Sequence, residues 1–78
     1  MQVTLFLSEH ADVSKIVELF DECSENFDLE EVRGNVLNLT TTKKSIYFMG
    51  DLLSDFERIG ISKSIFFDTV LDFYVSRY

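Results

Sequence analysis

Within its first 24 residues the chain changes its apolar period once. QVTLFL, residues 2–7, is a short run of β-branched and apolar residues bounded by the polar SEHAD, the pattern of a strand. From Asp12 to about Ser24 the apolar positions are Val13, Ile16, Val17, Phe20 and Cys23, with Leu19 at the edge. That is helical spacing with one apolar stripe. Ser8 or Asp12 supplies the side-chain oxygen that caps such a helix. The opening therefore reads β-α and points to an α+β domain.

FDLEEVRGNVLNLTT, residues 27–41, reads as two short strands joined at Gly34-Asn35, a pair that tolerates positive φ. KKSIYFMGDLLSDFERIGI, residues 43–61, has two readings. Ile46, Tyr47 and Phe48 form a third hairpin strand stopped by Gly50, with Asp51 capping a short helix; or a helix begins near Thr42 and runs through Gly50 at a cost of about 1 kcal/mol relative to alanine. The β-forming triplet before GD favours the strand. Gly60 followed by Ile61 is a helix stop, with Ile61 folding back on the last turn. In SKSIFFDTVLDFYVSRY, Phe66, Phe67, Val70, Leu71, Phe73, Tyr74 and Tyr78 share one sector opposite Asp68, Asp72 and Ser76, which predicts a closing amphipathic helix from about Ser62. The expected architecture is a single α+β domain over residues 1–78, a short antiparallel sheet packed on two or three helices in the order β-α-β-β-(β)-α-α.

A chain of 78 residues with 46% hydrophobic content and 11 aromatic rings has enough apolar material for one small core without covalent staples. The single Cys23 excludes an internal disulfide and is expected as a buried small hydrophobe on the apolar face of the first helix, in a reducing, cytoplasmic setting. MQVTLFLSEH lacks the basic region of a signal peptide, and no stretch approaches the length of a bilayer span, so neither secretion nor membrane insertion is expected.

The net charge of −7 argues against direct binding to nucleic acid or an anionic membrane. Its distribution is lopsided. Residues 9–31 hold nine acids and one base, net −8, whereas residues 32–78 hold five acids and six bases, net +1. On the first helix Glu18, Asp21, Glu22 and Glu25 stand at i, i+3, i+4 and i+7, one acidic ridge opposite the apolar stripe, and Asp28, Glu30 and Glu31 follow just beyond. Like charges at that spacing repel by a few tenths of a kcal/mol per pair, roughly. Carboxylates spaced along a rigid helix imitate a run of phosphates. These seven residues are accordingly expected to dock on a basic protein, a nucleic-acid-binding enzyme being one such class, with the chain as inhibitor or adaptor. By analogy, a phage- or mobile-element-type inhibitor of a host nucleic-acid enzyme fits the size and charge. The other reading of the same acids is a solvated face.

Catalytic candidates are few. The three glycines lie far apart at 34, 50 and 60 and make no phosphate loop, and one histidine with one cysteine supports no nucleophilic triad. Neither DLEE nor DECSE has the spacing of an oxygen-ligand calcium loop, so no metal and no cofactor is expected. VTLFL, His10 ahead of DVSKIVELF, GNVLNL and KKSIYFM resemble, over residues 3–53, the HPr-like phosphocarrier family. The resemblance implies a phosphoacceptor histidine at the first helix, His10, and a regulatory serine at Ser45. The family's histidine is followed by an arginine and a proline; here Ala11, Asp12 and Val13 follow His10, and Glu9 precedes it. Acids in place of the cation imply a scaffold that has lost phosphotransfer; the rival expectation to the acidic inhibitor is a divergent HPr-like carrier or regulator that uses His10 or Ser45. A third expectation is a structural subunit that forms homo-oligomers through its C-terminal aromatics.

Overall fold

The computed structural model describes residues 1–41 and 48–76. They form β1 (Gln2–Leu7), α1 (Val13–Glu18) continued by a π-helical turn (Leu19–Cys23), β2 (Asp28–Arg33), β3 (Val36–Thr40), α2 (Phe48–Arg58), α3 (Lys63–Thr69) and β4 (Val70–Ser76). The four strands make one antiparallel sheet in the order β2-β3-β1-β4, a split β-α-β arrangement in which β1 lies between β3 and β4. The expected α+β class is the one observed.

Side-chain alternation divides the sheet. Val3, Leu5 and Leu7 on β1 and Leu37 and Leu39 on β3 are buried against the helices, while Gln2, Thr4 and Phe6 share the other face with Val36, Asn38 and Thr40. The helices contribute Ile16, Leu19, Phe20, Leu52, Phe56 and Phe66 to the same core. A chain of edge-to-face rings runs through it: Phe27 to Phe20 (6.1 Å), Phe20 to Phe56 (5.8 Å) and Phe56 to Phe66 (5.0 Å). The rings therefore couple the loop before β2, the π-turn, α2 and α3.

Turn chemistry follows the sequence closely. Arg33 pairs with Val36 across Gly34-Asn35, and Gly34 alone of the two has positive φ (55°), the pattern of a type II′ hairpin turn. Asp12, not Ser8, caps α1: its carboxylate accepts the Lys15 N–H at 3.2 Å. At the end of α2 the Ile61 N–H reaches the Phe56 carbonyl (3.0 Å) and the Gly60 N–H the Glu57 carbonyl (3.0 Å), a Schellman closure. Gly60 sits at φ 88°. Gly60→Ala is expected to cost about 1–2 kcal/mol, because a Cβ is strained at that φ. Denaturant unfolding with an unchanged m-value checks this, and a neutral result would contradict it.

Three sequence expectations are corrected. Phe48 and Gly50 belong to α2, so Phe48 is not a strand residue, Gly50 stops nothing and Asp51 lies in the first turn rather than capping it; the rest of the expected strand, Ile46 and Tyr47, lies outside the described residues, as does Ser45. The reason is packing: Leu52 and Phe56 on this helix are fully buried and the Phe48 ring meets Phe73 at 5.8 Å, which outweighs about 1 kcal/mol for a helical glycine.

The closing helix ends at Thr69, and VLDFYVS is a strand. A helix there would leave one side of β1 unpaired, whereas β4 supplies a full ladder from Leu7↔Val70 to Gln2↔Ser76.

The third correction concerns Cys23, which is exposed. The π-turn, closed by the Ser24 N–H on the Leu19 carbonyl at 2.8 Å, shifts the helical phase. Leu19 moves from the edge of the stripe to full burial and Cys23 swings out.

Candidate functional site

The seven acids singled out by the sequence come from the end of the first helix, its π-turn, the loop that follows and β2. Glu18 ends α1, Asp21 and Glu22 lie in the π-turn, Glu25 lies in the loop past the end of the helix, and Asp28, Glu30 and Glu31 lie on β2. All are exposed, and the π-turn packs against β2. The four-residue ridge is thus not one line on one helix: the π-turn alters the spacing and Glu25 is off it. The acids instead occupy a helix end, a loop and the adjoining sheet edge.

Among the described residues few cations stand beside them: Arg33 pairs with Glu31, and Arg58 reaches the Cys23 carbonyl. Among the described residues the ion pairs are Glu31 with Arg33 (2.6 Å) and Glu9 with His10 (3.5 Å). Glu31 also accepts from Asn38 Nδ2 at 3.5 Å, and Glu30 accepts from the Thr40 hydroxyl at 3.1 Å. Glu30 is the extra residue of a bulge, since Leu29 pairs with Leu39 and Glu31 with Asn38. A bulged edge strand carrying three acids repels strand addition, so the β2 carboxylates have a protective role besides any partner they meet.

His10 lies just beyond β1 in a turn, its side chain 88% exposed, and its backbone N–H donates to Ser8 Oγ at 3.2 Å. It borders an open depression with Glu9, Asn35, Asp68, Leu7 and Leu71. The helix N-terminus beside it is occupied by the Asp12 carboxylate. No described lysine or arginine pairs with His10, and its ionic neighbour is an acid, Glu9. Ser45, the other phosphoacceptor of the resemblance, lies outside the described residues.

One buried group escaped the sequence reading. Asp55 is fully buried on α2 and accepts from Ser24 Oγ at 2.7 Å and from Asn26 Nδ2 at 3.5 Å. Ser24 Oγ in turn accepts the N–H groups of Asn26 (3.3 Å) and Phe27 (3.1 Å), and Arg58 Nη1 donates to the Cys23 carbonyl at 3.4 Å. These contacts tie α2 to the loop that carries Glu25. The signal was present: Asp55 falls among Leu52, Phe56 and Ile59 at i, i+3, i+4 and i+7, an acid inside an apolar stripe. With its oxygens committed to Ser24 and Asn26, Asp55 holds the loop in place.

Among the described residues no group of three or more His, Cys, Asp or Glu side chains is arranged to hold a metal ion, and no helix is long and apolar enough to cross a membrane. Comparison with protein-family models, with curated proteins and with solved structures found no match.

Proposed function

We propose that this chain works by binding rather than catalysis, as an acidic inhibitor or adaptor of a basic protein in the cytoplasm. Its binding surface is Glu18, Asp21, Glu22, Glu25, Asp28, Glu30 and Glu31. The observation that carries the reading is the exposure of seven carboxylates on adjoining elements with one described cation, Arg33, paired among them. Such a surface speeds encounter with a positive partner and sets specificity. A nucleic-acid-binding enzyme is the partner class that fits, because carboxylates spaced along a helix end and a strand stand in for phosphates. Asp55 and Ser24 support the surface by fixing the loop between the π-turn and β2. Phosphotransfer through His10 gains nothing from its setting, where Glu9 and Asp12 stand in place of a cation.

The test is affinity capture of a basic protein by wild type and by a Glu18/Asp21/Glu22/Glu25→Lys variant whose fold is checked by circular dichroism. The variant moves the net charge from −7 by eight units to +1. A partner held at low salt, released at high salt and absent with the folded variant is the expected result. Equal recovery by both forms sinks the proposal.

A further inference from the structure

The helices cover one face of the sheet; among the described residues the other is open. Phe6 and Thr4 lie on that second face, and their cross-strand partners place Asp72 and Tyr74 of β4 there as well. Every described residue on it is exposed or half-buried, and Tyr74 is 66% exposed. Phe6 and Tyr74 are diagonal neighbours whose rings meet edge to face at 6.0 Å. With Val36, which pairs with Phe6 from the β3 side, they form an apolar centre.

Both rims of this face are acidic. On β2 Asp28 pairs with Thr40 and Glu31 with Asn38, so both acids share the face with those β3 residues. Glu30, the bulge residue, is drawn the same way, since its carboxylate accepts from Thr40 Oγ1 at 3.1 Å. Asn38 Nδ2 donates to Glu31 at 3.5 Å, and Thr4 Oγ1 donates to Asn38 Oδ1 at 2.7 Å. A polar row thus leads from the β2 rim to the middle of the sheet. Asp72 stands on the β4 rim. These four acids face one base, Arg33, which is paired with Glu31 at 2.6 Å, so the face carries net −3.

The seven acids of the docking surface are therefore divided. Asp28, Glu30 and Glu31 turn onto the open sheet face, whereas Glu18, Asp21, Glu22 and Glu25 stay with the helical layer and its loop. We propose that the basic partner docks on the open sheet face, and that it does so through an extended segment with two cations flanking an apolar residue. This rests on the acidic-surface reading and narrows it to one face and one kind of segment.

Geometry sets the pattern. Glu31 and Asp72 are separated by three strand spacings and one two-residue step, about 16 Å between backbones. In an extended segment residues i, i+2 and i+4 face the same way and span about 13.5 Å, to which the long arms of arginine or lysine add their reach. The segment therefore reads Arg/Lys-x-apolar-x-Arg/Lys, laid across the strands. One cation meets Glu30 and Glu31, the apolar side chain meets Phe6 and Val36, and the second cation meets Asp72 against the Tyr74 ring. Arginine suits that end best, because its planar group pairs with a carboxylate and stacks on a ring.

Charge excludes the alternatives. A nucleic acid or an anionic membrane is repelled, and a second copy brings another −3 face against the first. An uncharged segment desolvates the rim carboxylates without pairing them.

The test is proton–nitrogen correlation NMR of the whole chain at low salt, titrated with the synthetic peptide Gly-Arg-Ser-Leu-Ser-Arg-Gly. The isomer Gly-Arg-Arg-Ser-Leu-Ser-Gly has the same composition and charge without the spacing. With the first peptide the amides of Phe6, Glu31, Asn38 and Tyr74 are expected to shift, while those of residues 18–25 stay. Tyr74→Ala, at an exposed position, should weaken binding about 3–10-fold, and Glu31→Gln and Asp72→Asn about 2–5-fold each. Amide dispersion in the same spectra reports that each variant is folded. Shifts confined to residues 18–25 would leave the acidic-surface reading standing and overturn this one. So would equal affinity for the two peptides, or an affinity unchanged by Tyr74→Ala. No shift with either peptide also overturns it, while the capture experiment with the lysine variant decides the broader reading separately.

Discussion

Phe56→Ala is expected to cost about 3–5 kcal/mol, the largest loss from any single truncation in this fold. Phe56 is fully buried and is the ring shared by two edge-to-face contacts, with Phe20 at 5.8 Å and Phe66 at 5.0 Å. Its removal takes away the transfer energy of the side chain and opens a void where the π-turn, α2 and α3 meet. It also ends two aromatic pairings worth about 0.5–1.5 kcal/mol each beyond area burial. Native stabilities span about 5–15 kcal/mol, and small domains have the least buried surface to draw on. The variant should therefore unfold at much lower denaturant and populate the unfolded state at ordinary temperature. Phe67 is exposed and keeps one edge-to-face contact, with Phe66 at 5.1 Å, and is the control: Phe67→Ala should cost no more than about 0.5–1.5 kcal/mol. A Phe56→Ala loss below about 1.5 kcal/mol would mean that the ring chain does not carry the core.

Asp55→Ala is the second large effect, about 1–3 kcal/mol, and it tests a different physical cause. The substitution strands the Ser24 hydroxyl without its 2.7 Å acceptor in a part-buried place and leaves the Asn26 amide one partner short. Ser24→Ala alone removes the oxygen that accepts from Asn26 and Phe27. In the double variant the Ser24–Asp55 bond can be lost only once, so its cost should be smaller than the two single costs combined. Urea unfolding of the four proteins gives the coupling directly. If the effects simply add, Asp55 is not holding the loop through Ser24. Because that loop carries Glu25 and leads into β2, Asp55→Ala should also weaken any docking that uses the acidic surface, without changing a surface charge there.

The acidic surface was legible in part. Exposure of Glu18, Asp21, Glu22, Glu25, Asp28, Glu30 and Glu31 follows from their charge and from their places opposite or beyond the apolar stripe. Their grouping was not legible, because it depends on the π-turn that ends the first helix before Glu25 and on the packing of that turn against β2. The π-turn also accounts for the exchange of places between Leu19 and Cys23. Nothing in LFDEC marks it; insertion of one residue into the helical hydrogen-bond ladder is favourable here because it buries Leu19 and Phe20 together. Asp55 was visible as an anomaly in an apolar stripe, but its partners are about thirty residues away in the chain and come to it only through the fold.

The sequence by itself determined the features whose energetics are local. A short β-branched and apolar run made QVTLFL a strand, Gly34-Asn35 closed a hairpin with its one positive φ, the capping oxygen of the first helix was narrowed to Ser8 or Asp12, and Gly60-Ile61 ended the second. Each rests on steric or hydrogen-bond requirements met within a few residues. Tertiary structure decided the rest. Gly50 lies within a helix because Leu52 and Phe56, on the turns that follow it, are buried. VLDFYVS has apolar residues compatible with either period, and only the unpaired side of β1 makes it a strand. A segment whose local preferences nearly balance takes the conformation that satisfies the backbone of its neighbour, and that neighbour lies more than sixty residues away in the chain.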